Sequence, residues 1–302
     1  MAGAWARYNL IFHKLPSPYC RTVRLHHFLL LFLLGLSPAS AQTAAPTNAA
    51  AATPVAPPRA QPVNPSAALM GVPGGVIVHW YGHGFVYLTS SFGIRCAIDP
   101  FGSQTVHYPF PAHLAADFVL VTHEGEDAGA ADQLFGDPLI FRSVMAVGLN
   151  RANGIPFYGI STQKDPDGQG VANTAFTVKF DGIKFCSLGQ PYTPLLARER
   201  EQIGKCDVLF LPVGVQALGV GDLDQMVRDL DAKMIIPVTY KTDLSGSLAL
   251  RPLDDYLAGT KFPVRKLTTD EIVVTKSSLP DKPTIYVLKA PTTAAAAPPA
   301  AQ

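Results

Sequence analysis

The sequence predicts an α+β fold, a four-layer αββα sandwich in which two mixed β-sheets pack face to face with helices outside. Short runs rich in β-branched and aromatic residues follow one another in the first part of the chain, and helical and strand-like runs alternate in the second part. Roughly 220 residues rich in Val, Ile, Leu and Phe lie between two simpler flanks, which is enough to bury one sizeable core. We therefore predict a single domain over residues 71–290.

The first part of the domain is predicted to form antiparallel hairpins followed by a buried strand. The first three strands are separated by the turn Gly82-His83-Gly84 and by a polar turn at 90–93, and Asp181-Gly182 joins a later pair. The predicted strands cover residues 76–81, 85–89, 94–98, 118–121, 139–144, 156–160, 176–180 and 183–188, with a short helix at 130–134.

The second part alternates helices with strands, which indicates a second sheet whose outer face is covered by helices. The predicted helices cover residues 194–203, 223–230 and 252–257. The predicted buried strands cover residues 206–213 and 233–238, and two edge strands are predicted at 271–275 and 284–288.

Residues 1–41 are predicted to be a secretory signal and not part of the fold. The apolar run 28–36 follows Arg21 and Arg24 with no acidic residue before it, and small residues at 39–41 supply a cleavage site. This run is shorter than the ~20 residues that cross a bilayer, so no stable membrane span is expected beyond it. The mature protein is then secreted or periplasmic, and an N-terminal membrane anchor is the alternative if the signal is not cleaved.

Two flanking segments lack the large apolar residues that a core requires. Residues 42–70 and 291–302 are rich in Ala and Pro. Such compositions bury too little surface to offset chain entropy, so we predict a disordered linker and a disordered tail.

The charge balance argues against a nucleic-acid partner. The chain has 24 basic and 23 acidic residues, and removal of residues 1–41 takes four basic and no acidic ones, which leaves 20 against 23 and a net charge of −3. No basic stripe remains to attract a phosphate backbone. The expected partner is an unidentified small molecule or protein.

The cysteines of the mature chain do not predict a metal or redox site. Cys96, Cys186 and Cys206 are widely spaced and match no zinc or dithiol pattern. Each lies in an apolar, strand-like run, where a cysteine is typically a small buried hydrophobe. A disulfide between Cys186 and Cys206 is the alternative that export would permit.

A buried strand that ends in a polar turn marks the candidate site. Residues 118–121 are apolar, and they are followed by Thr122, His123 and, four residues after the histidine, Asp127. Loops at strand ends often carry binding and catalytic groups, because a rigid scaffold positions them. The sequence contains no G-x-S-x-G elbow, which argues against a serine hydrolase.

Short motifs occur in a set order along residues 76–290: WYGHG at 80–84, IDPF at 98–101, TH at 122–123, NTAF at 173–176, SLGQ at 187–190, CDVLFLPVG at 206–214 and PVTYKT at 237–242. Together they resemble the metallo-β-lactamase fold, and more narrowly its branch of ascorbate-phosphate lactonase-like and related lactonase or phospholipase-type hydrolases. The resemblance implies one or two metal ions at the strand ends that activate water for attack on an ester, lactone or phosphodiester.

The resemblance also assigns metal ligands, and most of these positions are changed. In the family's T-H-x-H-x-D-H signature His123 and Asp127 match, whereas Gly125 and Ala128 stand where histidines are expected. His123 and Asp127 are therefore weak metal candidates, one for each metal position.

The later ligand positions are changed as well. The family's second-half histidine and bridging carboxylate fall on Ser187 and Gln190, and a further histidine falls on Thr239. None of these is a usual zinc ligand. Structural zinc sites are worth about 10–16 kcal/mol from four ligands, or ~3–4 kcal/mol for each, so five changed positions remove the site. No cofactor is predicted.

The interpretation that follows is an exported pseudoenzyme with a binding or scaffold role in a vestigial pocket. His123 is expected to be a hydrogen-bonded polar residue paired with Asp99 or Asp127. The pocket is predicted to contain His83, Asp99, His123, Asp127, Ser187, Gln190 and Thr239.

Two alternatives stay open. One is a divergent hydrolase of the lactonase or phosphodiesterase type that holds zinc or another divalent metal with substitute ligands. Those ligands would come from His83, His123, Glu124, Glu126, Asp127, Asp165 and Asp167. The other is a structural partner protein tethered by its Ala/Pro-rich segments.

Overall fold

The computed structural model describes residues 74–162 and 172–292. The expected signal, the linker at 42–70, nearly all of the tail, and Asp165 and Asp167 lie outside these residues. Within the described ranges, no helix is long and apolar enough to cross a membrane.

The first sheet has six strands, and its centre is formed by consecutive segments of the chain. Its strands are β1 (Val76–Gly82), β2 (Phe85–Thr89), β3 (Arg95–Ile98), β4 (Phe118–Val121), β5 (Leu139–Arg142) and β13 (Glu271–Val274). Their spatial order is β13-β1-β2-β3-β4-β5. The pairs from β13 to β3 are antiparallel, whereas β3, β4 and β5 run parallel.

The second sheet has eight strands and is also mixed. Its strands are β6 (Gly148–Ala152), β7 (Ile155–Thr162), β8 (Asn173–Phe180), β9 (Ile183–Ser187), β10 (Val208–Pro212), β11 (Met234–Val238), β12 (Val264–Lys266) and β14 (Thr284–Val287). Their order is β12-β14-β11-β10-β9-β8-β7-β6. The pairs among β6 to β9 are antiparallel, and those from β9 to β12 are parallel.

The described helices are few and short. They are α1 (Ala197–Ile203), α2 (Val220–Asp229), α3 (Leu253–Gly259) and 3-10 helices at Ala131–Gln133 and Ser143–Ala146. Helix α2 buries Leu223, Met226 and Val227, whose spacing places them on one face. At its start the Asp222 carboxylate accepts a hydrogen bond of 2.9 Å from the Gly219 N–H.

Aromatic contacts show that the two sheets pack face to face. Phe118 of β4 stacks on Phe157 of β7 and Phe180 of β8, with ring centroids 5.7 and 6.2 Å apart. All three rings are buried, and burial of one such side chain contributes about 1.5–3 kcal/mol to folding. The predicted sandwich of two mixed sheets is therefore confirmed.

The predicted elements are mostly confirmed, with errors at weak strands. Strand β6 was not predicted because its glycine and asparagine have low strand propensity, and β12 was not predicted because it is only three residues long and exposed. Strand β14 was predicted at an edge, which is wrong because β12 covers it, whereas β13 is an edge strand as predicted. The helix expected at 130–134 is a single 3-10 turn. The strand expected at 139–144 ends at Arg142.

The cysteines behave as small buried hydrophobes, as predicted. Cys96, Cys186 and Cys206 are buried and free, so the alternative disulfide between Cys186 and Cys206 is wrong for this structure. A hydrogen bond to Cys186, together with burial, raises the pKa of the Cys206 thiol well above its ordinary value.

Candidate functional site

The candidate site lies where loops of both sheets meet. Strands β3 and β4 run parallel, as do β9, β10 and β11, so within each sheet the following loops emerge at the same edge. Asp99 follows β3, the segment 122–128 follows β4, and Gln190 and Thr239 follow β9 and β11. His83 reaches the same place from the turn between β1 and β2.

The Asp127 carboxylate is the centre of the site. Its Oδ2 atom accepts a hydrogen bond of 2.8 Å from Gln190 Nε2 and lies 3.3 Å from His123 Nε2 and 3.4 Å from His83 Nε2. Burial acts to raise the pKa of Asp127, but hydrogen bonds from His123 and His83 hold that pKa well below its usual range. Asp127 is therefore ionised at neutral pH.

A second carboxylate, Asp99, is connected to His123 through Thr122. Asp99 accepts hydrogen bonds from the Thr122 backbone N–H at 2.7 Å and from its hydroxyl at 2.8 Å. The same hydroxyl oxygen lies 2.9 Å from His123 Nδ1. Because the hydroxyl donates its hydrogen to Asp99, its oxygen is left to accept a hydrogen bond from His123 Nδ1.

This hydrogen-bond pattern favours the charged form of His123. Its Nδ1 faces the Thr122 oxygen and its Nε2 faces the Asp127 carboxylate, so both ring nitrogens face acceptors. Burial lowers the pKa of His123, but the Asp127 hydrogen bond and the charge of Asp99 outweigh it and raise that pKa overall. For Asp99, burial is the main cause and raises the pKa to about 6.

His83 is held in place by its backbone. It has a positive φ of 47°, and its carbonyl oxygen accepts hydrogen bonds of 2.9 Å from both Trp80 Nε1 and the Thr239 N–H. Its ring is only 1% exposed, and Nδ1 has no hydrogen-bond partner. A buried ring nitrogen without a hydrogen-bond partner destabilises the fold less as an unprotonated acceptor than as an N–H donor. The ring proton of His83 therefore belongs on Nε2, which faces Asp127, and not on Nδ1.

Gln190 is positioned by Asn173. The Asn173 side chain accepts a 2.9 Å hydrogen bond from the Gln190 N–H and donates one of 2.8 Å to the Leu188 carbonyl. Between them Gly189 has a φ of 64°, and any side chain there would collide with Asn173 and Thr122. The loop therefore requires glycine at this position in order to bring the Gln190 amide to Asp127.

The turn after β4 is built around Asp127. A Cβ atom at Gly125 would lie 2.5 Å from Asp127 Oδ1, so no side chain fits there without moving the carboxylate. Ala128 is fully buried. The two positions where the resemblance assigns histidines are thus occupied by small residues in a turn that closes on Asp127.

The structure brings together most of the predicted pocket. His83, His123, Asp127 and Gln190 are in direct contact, and Asp99 is joined to them through Thr122. Thr239 contributes through its backbone, at a φ of 52°. Ser187 is buried within β9, and among the described residues its hydroxyl makes no hydrogen bond to the cluster.

Two of the expected substitute ligands are engaged elsewhere. Glu124 forms an ion pair of 3.2 Å with Arg142, and Glu126 accepts a 2.8 Å hydrogen bond from Thr105. Both glutamates are exposed.

The cluster does not fit a metal ion. In the described part of the chain, no group of three or more His, Cys, Asp or Glu side chains is placed to hold one. His83 and His123 both direct Nε2 at one carboxylate atom, Asp127 Oδ2, and Gln190 Nε2 stands 3.3 Å from His83 Nε2. An amide nitrogen donates hydrogens and offers no lone pair to a cation.

A cavity of about 440 Å³ opens beside the turn after β4. Residues 102–104, 124–126, 129–130 and 132–133 line it, and its carboxylates are Glu124, Glu126 and Asp132. No large apolar side chain is among its lining residues, so the cavity suits a small polar ligand better than an apolar one.

Two residues of the site were not singled out from the sequence. The Thr122 hydroxyl is hydrogen-bonded to both Asp99 and His123 and so links them, and Asn173 positions Gln190. Both lie within the motifs that carry the resemblance, at 122–123 and 173–176, so their position in those motifs was the available signal.

Comparison with known proteins identifies a family. Residues 77–239 match the model of the beta-lactamase superfamily domain. No curated protein sequence matches the chain.

Solved structures that match the chain include proposed metal-dependent hydrolases. A proposed Zn-dependent hydrolase of the metallo-beta-lactamase superfamily from Thermotoga maritima is 27% identical, with a TM-score of 0.56 over 70% of this chain and 98% of that chain. A proposed metal-dependent hydrolase from Parabacteroides distasonis is 19% identical, with a TM-score of 0.46 over 56% of this chain and 84% of that chain. A metallo hydrolase from Ignicoccus hospitalis is 18% identical, with a TM-score of 0.44 over 55% and 83%.

Proposed function

The chain belongs to the beta-lactamase superfamily, and on that premise we propose that it is a non-catalytic member in which a hydrogen-bonded cluster replaces the metal centre. One observation carries the proposal. The Gln190 amide nitrogen donates to Asp127 at 2.8 Å and stands 3.3 Å from His83 Nε2, between two groups that would otherwise serve as ligands.

The charges within the cluster support this proposal. The ionised Asp127 is balanced by the charged form of His123, and Gln190 adds a neutral donor. A divalent cation would have to displace the amide, remove a proton from His123 and break its hydrogen bond to Asp127. Loss of a partner from a buried charged pair typically destabilises a protein by about 3–5 kcal/mol, so the cluster opposes metal entry.

The proposed role is binding or scaffolding outside the cell membrane. The cavity beside the turn after β4 is the proposed ligand site, with a small polar molecule as its occupant. We propose export because of the signal-like segment at 1–41. Mass spectrometry of the mature protein from fractionated cells tests export, and an intact N-terminus in the cytoplasmic fraction would contradict it.

Metal analysis tests the proposed loss of the metal centre. The wild-type protein is purified without chelator from cultures supplemented with zinc, iron and manganese, and its metal content is measured by mass spectrometry. We expect far less than one equivalent of any metal. Near-stoichiometric metal that is lost in His123→Ala would overturn the proposal.

An isosteric variant shows whether the amide keeps metal out. Gln190→Glu places a second carboxylate next to Asp127, and two adjacent carboxylates repel each other unless a cation or a proton lies between them. We expect zinc to raise the melting temperature of Gln190→Glu but not of wild type. Gln202→Glu, an exposed change of the same charge on α1, is the matched control. An equal shift in melting temperature with zinc in wild type and Gln190→Glu would show that the Gln190 amide does not keep metal out.

A divergent metal-dependent hydrolase is the second candidate function. The observation in its favour is the convergence of two imidazoles and one carboxylate, from His83, His123 and Asp127. Lactones, phosphodiesters and β-lactams are assayed with added zinc or manganese. Turnover that is abolished in Asp127→Asn would favour this candidate, and its absence from all three panels counts against it.

A further inference from the structure

Large exposed apolar residues are concentrated at one end of both sheets. We define the open-edge patch as seven residues of β5, β6, β7 and the connection between β5 and β6: Leu139, Ile140, Val144, Met145, Val147, Leu149 and Tyr158. Met145 is 86% exposed and Leu149 is 62% exposed. Their exposed surface is on the order of 700 Å², above the ~300–600 Å² of the largest patch on a typical monomer.

The elements that carry the patch are held in place by the fold. Leu149 of β6 and Tyr158 of β7 are directly paired across the ladder. The 3-10 helix Ser143–Ala146 packs on β7 so closely that a side chain at Gly159 would collide with the Ala146 carbonyl. Phe141 of β5 contacts Phe157 of β7 edge to face, with ring centroids 4.7 Å apart.

Both sheets end at this patch with open edges. Within the described ranges, β5 is the last strand of the first sheet and β6 the last strand of the second. Natural proteins protect such edges with charges, proline or very short strands. The only charged residue of β6 is Arg151, whose guanidinium donates to the carbonyl of Gly154 in the adjoining turn.

The opposite edge of the second sheet is protected in these ways. Strand β12 is three residues long, follows Pro263, and carries Arg265 and Lys266. The Arg265 guanidinium lies 5.5 Å from the centroid of the Tyr286 ring. Strands β12 and β6 are the two edges of one sheet, and only β12 is protected. This contrast indicates that another surface covers the β6 edge.

We propose that a second copy of this chain covers the open-edge patch, so that the protein is a twofold-symmetric dimer through β5, β6 and the connection between them. The exposed surface of these seven residues is close to the ~800 Å² that each partner buries in a standard interface. A twofold contact places the patch against itself, and none of its seven side chains is charged. The free edge of β6 can pair antiparallel with its own copy.

Sedimentation equilibrium and light scattering of the mature protein at low to high micromolar concentrations test the dimer. We expect wild type to be dimeric. Met145→Glu and Leu149→Lys each place a charge in the interface, and either should raise the dissociation constant by at least ~100-fold. Both positions are exposed, so circular dichroism and the melting temperature of the monomer should be unchanged.

Phe92→Glu provides a matched control. Phe92 is 87% exposed, like Met145, but lies in the turn between β2 and β3, away from the patch. We expect Phe92→Glu to remain dimeric. A monomeric wild type at high micromolar concentration would overturn the proposal, as would a dimer that Phe92→Glu weakens as much as Met145→Glu does. A monomer that binds lipid vesicles through Met145 would assign the patch to a membrane surface instead, and would equally refute the dimer.

Discussion

Strand β4 has a carboxylate at each end, and the two are stabilised in different ways. Before its first residue, Asp117 accepts three hydrogen bonds of 2.8–3.1 Å from one residue, Arg95 of the neighbouring strand. After its last residue, Asp127 is surrounded by two imidazoles and an amide that come from three separate loops. The first carboxylate fastens two adjacent strands, and the second joins loops of both sheets.

The difference shows how the two ends of one strand can have different roles: Asp117 holds neighbouring strands together, and Asp127 lies in the candidate site. At Asp117 a single arginine supplies all three hydrogen bonds to the carboxylate, so one residue holds this end. The other end collects two imidazoles and two carboxylates, in loops at the carboxyl ends of parallel strands, where binding sites of such sheets usually lie. We therefore expect changes at the Asp127 end to have larger and more pH-dependent effects.

The largest difference is expected from removing each carboxylate. Asp127→Ala leaves the charged His123 and the buried His83 without their acceptor, so the free energy of unfolding at pH 7 should fall by about 3–5 kcal/mol. Asp117→Ala should lower it by about 1–2 kcal/mol, because water can reach the partly exposed Arg95 guanidinium. Urea denaturation measures both. Equal losses would remove the distinction between the two ends.

Two buried or partly buried carboxylates, Asp99 near the Asp127 end and Asp117 at the other end, should contribute to the pH dependence of stability with opposite signs. The pKa of Asp99 is raised to about 6, so the native state binds more protons than the unfolded state above the ordinary value of 3.8. Its contribution to stability therefore falls as pH rises from about 4 to about 6, by up to ~3 kcal/mol. The pKa of Asp117 is lowered, mainly by the Arg95 hydrogen bonds acting against burial, so its contribution is lost as pH falls below about 4.

Difference curves against single variants measure this contrast. The stability of wild type minus Asp99→Asn should decrease between pH 4 and 6, while that of wild type minus Asp117→Asn should increase with pH from 3 to 5. The amide in each variant keeps the shape and removes the titration. Parallel slopes for the two variants would show that burial does not dominate at Asp99.

A smaller effect is expected from the hydroxyl that links Asp99 to His123. Thr122→Val removes one donor to Asp99 and one acceptor for His123 at constant shape, and should lower the unfolding free energy by about 1–3 kcal/mol. The matched control is Thr89→Val in β2, where the buried hydroxyl has no hydrogen-bond partner. That control should be neutral or stabilising. A cost at residue 89 similar to that at 122 would attribute both losses to packing.

The smallest effect is expected at the amino end from a change that keeps the charge. Arg95→Lys retains a cation beside Asp117 but loses the two-pronged contact, so we expect a loss of less than ~1 kcal/mol. Urea denaturation at low and high salt measures it. A loss of several kcal/mol would show that this end depends on geometry as strictly as the other.

The local sequence pattern was sufficient to predict most helices and strands, and to predict the part of the site that lies in the turn after β4. The runs that became β1, β2 and β4 were predicted within one residue of their observed ends, because their apolar residues are continuous and turn residues bound them. The spacing of His123 and Asp127 in one turn allowed their contact to be anticipated. The beta-lactamase superfamily assignment agrees with the order of the short motifs.

Contacts between distant segments were decided only by the tertiary structure. Strand β6 has a low intrinsic strand propensity and forms because its backbone pairs with β7. Strand β12 likewise forms by pairing with β14. No local pattern predicts that Gln190 donates to Asp127, 63 positions earlier in the chain. That contact depends on how closely the two sheets approach each other and on Gly189, where no side chain fits. The sequence by itself therefore determined which chemical groups were available, and the packing of distant segments determined which of them meet.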